Sequence, residues 1–125
     1  MGVLVVITTV GTEEQAVEIA EELLGRRHAA CVNILQVPRT IYRWEGKVCR
    51  DSELLLMIKT TDEEYDSVEA TIKELHDYEL PEVLGFQVSR ISSDFLPWIT
   101  AALDKDSEFD EEGDHGEPDA TADTD

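Results

Sequence analysis

The chain has 125 residues, 42% of them hydrophobic, enough for one domain with a core of its own. Asp and Glu number 29 against 10 Lys and Arg, a formal charge of -19, and a surface of that sign repels phosphate backbones and anionic lipid, which excludes nucleic acid and membrane surfaces as main partners. The longest apolar runs, Val3 to Ile7 and Leu54 to Ile58, fall far short of the roughly 20 residues that cross a bilayer. No basic segment precedes the first apolar run, so a secretory signal is not expected and the chain reads as cytoplasmic.

Val3 to Thr9 is a β-branched run and predicts a strand with little exposed on either face. Thr12-Glu13-Glu14-Gln15 has the form of a capping box, and Ala16, Ile19, Ala20, Leu23 and Leu24 then fall on one helical stripe that Gly25 should stop or loosen. Ala29 to Leu35 predicts a second strand, bent or bulged at Pro38 and resuming from Thr40 to Trp44. Glu45-Gly46 supplies a turn into a third strand, Lys47 to Lys59. The run Thr61-Asp62-Glu63-Glu64 matches a second capping box, ahead of Tyr65, Val68, Ile72 and Leu75 at helical spacing. A polar stretch leads to a fourth strand, Val83 to Ile91, and a last helix with Asp94 as N-cap and Phe95, Ile99 and Leu103 turned inward.

The order β-α-β-β-α-β with right-handed crossovers gives an α+β, ferredoxin-like fold: a four-stranded antiparallel sheet with both long helices on one face and a long central hairpin. Two strands are apolar on both faces, whereas two helices cover only one, so the other face calls for further copies of the chain. Residues 1–103 form the expected domain. From Asp104 to Asp125 eleven acids and one base, Lys105, predict a disordered acidic tail. Cys31 and Cys49 should lie on paired strands roughly 35 Å apart, Cys49 opposite Tyr42, too far to bridge.

Four strings in this order and spacing, Ala30-Cys31-Val32-Asn33, Tyr42-Arg43-Trp44-Glu45-Gly46-Lys47, Lys59-Thr60-Thr61 and His76-Asp77-Tyr78-Glu79-Leu80-Pro81-Glu82-Val83, resemble the CutA divalent-cation tolerance proteins over residues 3–103. The resemblance implies a homotrimer of ferredoxin-like subunits, similar in architecture to PII signalling proteins and associated with tolerance to copper and other divalent cations. It also implies a metal site whose family ligands, a Cys and two adjacent His, correspond here to Thr8, Leu75 and His76. One imidazole and one hydroxyl do not make the soft set that copper favours. A remaining cation site would recruit Glu79 and Glu82, with Asp77 near, beside His76: oxygen-rich, weak and open to several divalent metals, Cu2+ or similar. Otherwise His76 is a helix-end residue whose imidazole complements the C-terminal dipole and bonds a neighbouring strand.

Trp44, Tyr42 and Tyr78 suit packing on the hairpin and at a subunit boundary. Cys31, between Ala30 and Val32, reads first as a small buried hydrophobe. If the hairpin turn docks on a neighbouring subunit, Glu45 and Lys47 join Lys59, Tyr78 and Glu82, with Cys31 and Trp44, in a cleft fit for a small ligand. No nucleophile beside a base and no glycine-rich phosphate loop occurs, so catalysis is not expected. The alternative reading is a PII-like regulatory trimer that senses a small ligand between subunits and signals to a partner protein.

Overall fold

The structure is a computed structural model that describes residues 2–106. β1 (Val3–Val10) pairs antiparallel with β3 (Lys47–Thr61), from Val3 opposite Thr61 to Val10 opposite Leu54, and on its other side with β4 (Leu84–Gln87). β2 (Cys31–Trp44) pairs antiparallel with β3, completing a sheet of order β2-β3-β1-β4. The helices α1 (Glu13–Gly25) and α2 (Tyr65–Leu75) link these strands, and α3 (Phe95–Ala102) follows the last one. This is the ferredoxin-like arrangement expected from the order of elements.

Alternation along the strands sends Leu4, Val6 and Val10 of β1 and Leu56 and Ile58 of β3 to one face. There they meet Ile19 and Leu23 of α1 and Val68 and Ile72 of α2 in the main core. Each such fully buried side chain contributes about 1.5–3 kcal/mol. The other face has a small cluster at one corner, where Val3 packs on Ile99 and Leu103 of α3 and the residue after it. Further along that face, Phe86 opposite Val5 and Leu84 opposite Ile7 are 51% and 48% exposed. Leu35, opposite Leu55, is 42% exposed. The second sheet face is therefore largely open in a single chain.

β1 ends opposite Leu54, so the rest of the β2/β3 hairpin projects as a two-stranded arm. The register shifts between Val37 and Thr40, at Pro38, as a residue without an N–H in a ladder requires. The arm closes at Glu45 (φ 51°) and Gly46 (φ 78°), the two left-handed residues of a tight hairpin turn. Cys49 faces Tyr42 and Cys31 faces Lys59, and neither cysteine is bridged.

Several local expectations are corrected. Gly25 is the last residue of α1, as expected, but the left-handed position after the helix is Arg27 (φ 58°), with His28 N–H on Leu23 O at 2.9 Å and Arg27 N–H on Leu24 O at 3.0 Å. Thr61 makes no capping bond, because it remains in β3 opposite Val3 and a 3-10 turn at Asp62–Glu64 starts the helix instead. β4 stops at Gln87 rather than running to Ile91, and Val88 N–H is the last of the segment to reach β1, at Val3 O. Asp94 is the N-cap residue of α3, as expected, but its side chain makes no capping bond; Ser92 Oγ accepts from Phe95 N–H at 3.3 Å. Phe95 turns outward and stacks on Trp98, centroids 5.3 Å apart. Of the acidic segment, only 104–106 lie among the described residues. There Lys105 Nζ donates to Glu64 at 2.7 Å and to Arg27 O at 3.0 Å. The remainder of the expected tail lies outside them.

Candidate functional site

The loop after α2 is held against α1 and β1 before it reaches the arm. Gln15, 6% exposed on α1, donates from Nε2 to Leu75 O at 3.1 Å and accepts Asp77 N–H at 2.6 Å. A helix end buried without partners is costly, and this one amide satisfies a carbonyl of the last turn and the N–H beyond it. His76 then ties the loop to β1 and back to itself: its Nε2 bonds Thr9 O at 2.8 Å, and its Nδ1 accepts Tyr78 N–H at 3.1 Å. An imidazole that accepts at Nδ1 and donates from Nε2 is neutral with both nitrogens engaged. His76 is thus the loop's latch and has no lone pair left for a metal.

Tyr78, packed at 4.7 Å between ring centroids from His76, donates to Glu53 Oε2 at 2.7 Å. Tyr42 of β2 donates in the same way to Asp51. Burial, the bond to Glu53 and its charge raise the Tyr78 phenol far above the ordinary tyrosine value. The bond to Asp51, then burial and charge, push Tyr42 up to about 12. Both phenols therefore stay protonated and act as donors.

Between loop and arm lies a groove of about 400 Å³. Tyr42, Trp44 and Tyr78 supply its aromatic walls, and Asp51, Glu53, Glu79 and Glu82 supply four carboxyl groups, with no Lys or Arg in the lining. Chemically it is a cation-attracting groove with apolar sides. Among the described residues no group of three His, Cys, Asp or Glu stands close enough to hold a metal ion. The expected trio of His76, Glu79 and Glu82 is accordingly not assembled, because His76 turns to Thr9 while the two glutamates face the groove.

The other expected residues are divided among three places. Trp44 and Tyr78 share the groove. Lys59 and Cys31 face each other at the opposite end of β2, Nζ to Sγ 3.8 Å, with Lys59 also on the Asn33 side-chain carbonyl. Glu45 and Lys47 flank the arm's turn, and among the described residues no ion pair joins them. Asp51, Glu53 and Tyr42 escaped the reading of the sequence as site residues. Their signal was two acids spaced i, i+2 on a strand, which puts both on one face.

Thr8, which the resemblance set against a cysteine ligand, is fully buried on the helix side, and its hydroxyl has no partner. It points into the core, away from any ligand role beside His76.

The family model described as CutA1 divalent ion tolerance protein matches residues 4–102. The divalent-cation tolerance protein CutA of Thermus thermophilus is 41% identical over 95 residues, 76% of this chain and 92% of that one. Among solved structures, CutA from Xylella fastidiosa superimposes with a TM-score of 0.80 at 33% identity, over 83% of this chain and 100% of that one. The periplasmic divalent cation tolerance protein CutA from Archaeoglobus fulgidus does so at 0.79 and 30% identity, over 82% and 99%. With the fold, the motifs and nearly the whole described body in agreement, this chain belongs to the CutA1 divalent ion tolerance family.

Proposed function

We propose that this protein serves tolerance to divalent cations, copper-type ions among them, as a homotrimer in the cytoplasm, by weak or indirect binding and without catalysis. The observation that carries the reading is family membership over residues 4–102. The groove agrees with it in sign: its four carboxyl groups, with no Lys or Arg in the lining, draw cations.

The open sheet face of Leu35, Leu84 and Phe86 supports the trimer, since copies of this chain would bury it. In such a trimer the arm turn with Glu45 and Lys47, and the Cys31–Lys59 end of a neighbour, come together with the groove. Unbridged Cys31 and Cys49 suit a reducing compartment, and no helix among the described residues is long and apolar enough to cross a membrane. The PII-like signalling reading is not favoured by relatives described as tolerance proteins.

The test is growth in excess copper or cobalt of a host lacking its own CutA. Expression of this chain restores growth if the reading holds; unchanged sensitivity with normal protein levels rejects it.

A further inference from the structure

We infer that the corner where α1 turns into β2 is a proton-operated latch on the start of the acidic C-terminal segment: neutral His28 leaves Glu64 to Lys105, and protonated His28 takes Glu64 from it. The residues involved belong to helices and their connections, off the sheet face that further copies of the chain would cover. The inference does not draw on the tolerance role.

The segment is held at two points. Arg27 Nη1 donates to Ala102 O, at the end of α3, at 3.1 Å. Lys105 Nζ donates to Arg27 O at 3.0 Å and to Glu64 Oε2 at 2.7 Å, and the Glu64 side chain is only 18% exposed. A pair with one partner sheltered from water is screened less than a fully exposed one. From Asp104 onward the sequence has eleven acids and, of Lys and Arg, Lys105 alone. This lysine is therefore the segment's cationic anchor.

The proton sensor sits beside it. Thr71, 2% exposed on α2, receives Arg26 Nη1 at 3.3 Å and meets His28 Nδ1 at 3.1 Å. A guanidinium only donates, so Thr71 Oγ1 accepts from Arg26 and its single hydrogen goes to Nδ1, which makes the imidazole neutral. A proton arriving on Nδ1 breaks this arrangement. Burial opposes that proton most, Glu64 favours it, and Lys105 and Arg26 oppose it, which holds His28 below the ordinary 6.5.

An imidazolium at this corner has Arg26 and Lys105 as like-charged neighbours and Glu64 as the carboxylate to gain, because Glu22 and Glu74 already bond Arg26. Binding Glu64 relieves it and displaces Lys105. By reciprocity, Lys105 and the proton compete for one carboxylate, and each weakens the hold of the other.

The test follows the full-length protein by NMR from mildly alkaline to mildly acidic pH, reading the His28 ring carbons and the Lys105 and Asp106 amides. Both amides are expected to shift at the His28 midpoint, below 6.5, with their heteronuclear NOE falling across it. His28→Asn should erase that step. Lys105→Gln, a change on a side chain 51% exposed, should raise the His28 midpoint by removing the competing cation, and it keeps the inference testable if His28→Asn does not fold. Amides that do not follow His28, a step that persists in His28→Asn, or a His28 midpoint unmoved by Lys105→Gln would overturn the inference.

Discussion

Tyr78 Oη donates to Glu53 Oε2 at 2.7 Å, tying the loop after α2 to β3 across 25 residues of sequence. That single bond closes the floor of the groove and satisfies a carboxylate that is 8% exposed. Tyr78→Phe removes the donor and leaves the acceptor buried, a loss of about 1–2 kcal/mol. Urea denaturation should show it, with a smaller loss for Glu53→Gln, which keeps an acceptor for the phenol. Equal stability of Tyr78→Phe and the parent would mean that the bond is not formed in solution.

Gln15 connects α1 to the same loop. Gln15→Ala deletes its bonds to Leu75 O and Asp77 N–H, about 2 kcal/mol for the pair at roughly 1 each. Hydrogen exchange at the Asp77 and Tyr78 amides should quicken while that of β1 stays slow, because the loop opens locally before the sheet does.

Thr8 carries a cost inside the core. Its side chain is fully buried and its hydroxyl unpartnered, whereas valine has the same branching without the polar atom. Thr8→Val should therefore stabilise the fold by about 1 kcal/mol, read as a higher urea midpoint with unchanged slope.

His28 makes stability depend on pH. Burial first, then Lys105 and Arg26, lower its pKa below the ordinary 6.5, against the opposing pull of Glu64; its Nδ1 bonds Thr71 Oγ1. A lowered folded-state pKa means that the unfolded chain binds the proton more readily. The contribution of neutral His28 is present above 6.5 and lost as pH falls through the folded value. Stability of the parent should drop more steeply with acid than that of His28→Asn, and parallel pH profiles of the two would remove His28 from the account.

The fold was legible because periodicity, capping and turn signals agreed. Val3 to Thr9, Glu45-Gly46 and the bulge at Pro38 each fix a backbone state by local chemistry. What sequence could not show was which of several local options tertiary contact selects. Thr61 was a good N-cap that pairing with Val3 kept in the strand, and Arg27, not the Gly25 that ends α1, takes the left-handed position after the helix. The site was legible in part. Trp44, Tyr78, Glu79 and Glu82 were found through their motifs, and of the two readings of His76, cation ligand or helix-end side chain bonding a strand, the contact with Thr9 of β1 matches the second. Asp51 and Glu53 were hidden because their role depends on a loop that arrives from beyond α2.

The account rests on the sheet face that α1 and α2 leave open, with Leu35, Leu84 and Phe86 exposed on it. Sedimentation equilibrium of the full chain at micromolar concentration tests it most directly. The predicted mass is three times the 14.0 kDa of the chain. A folded species that stays at 14.0 kDa would contradict it.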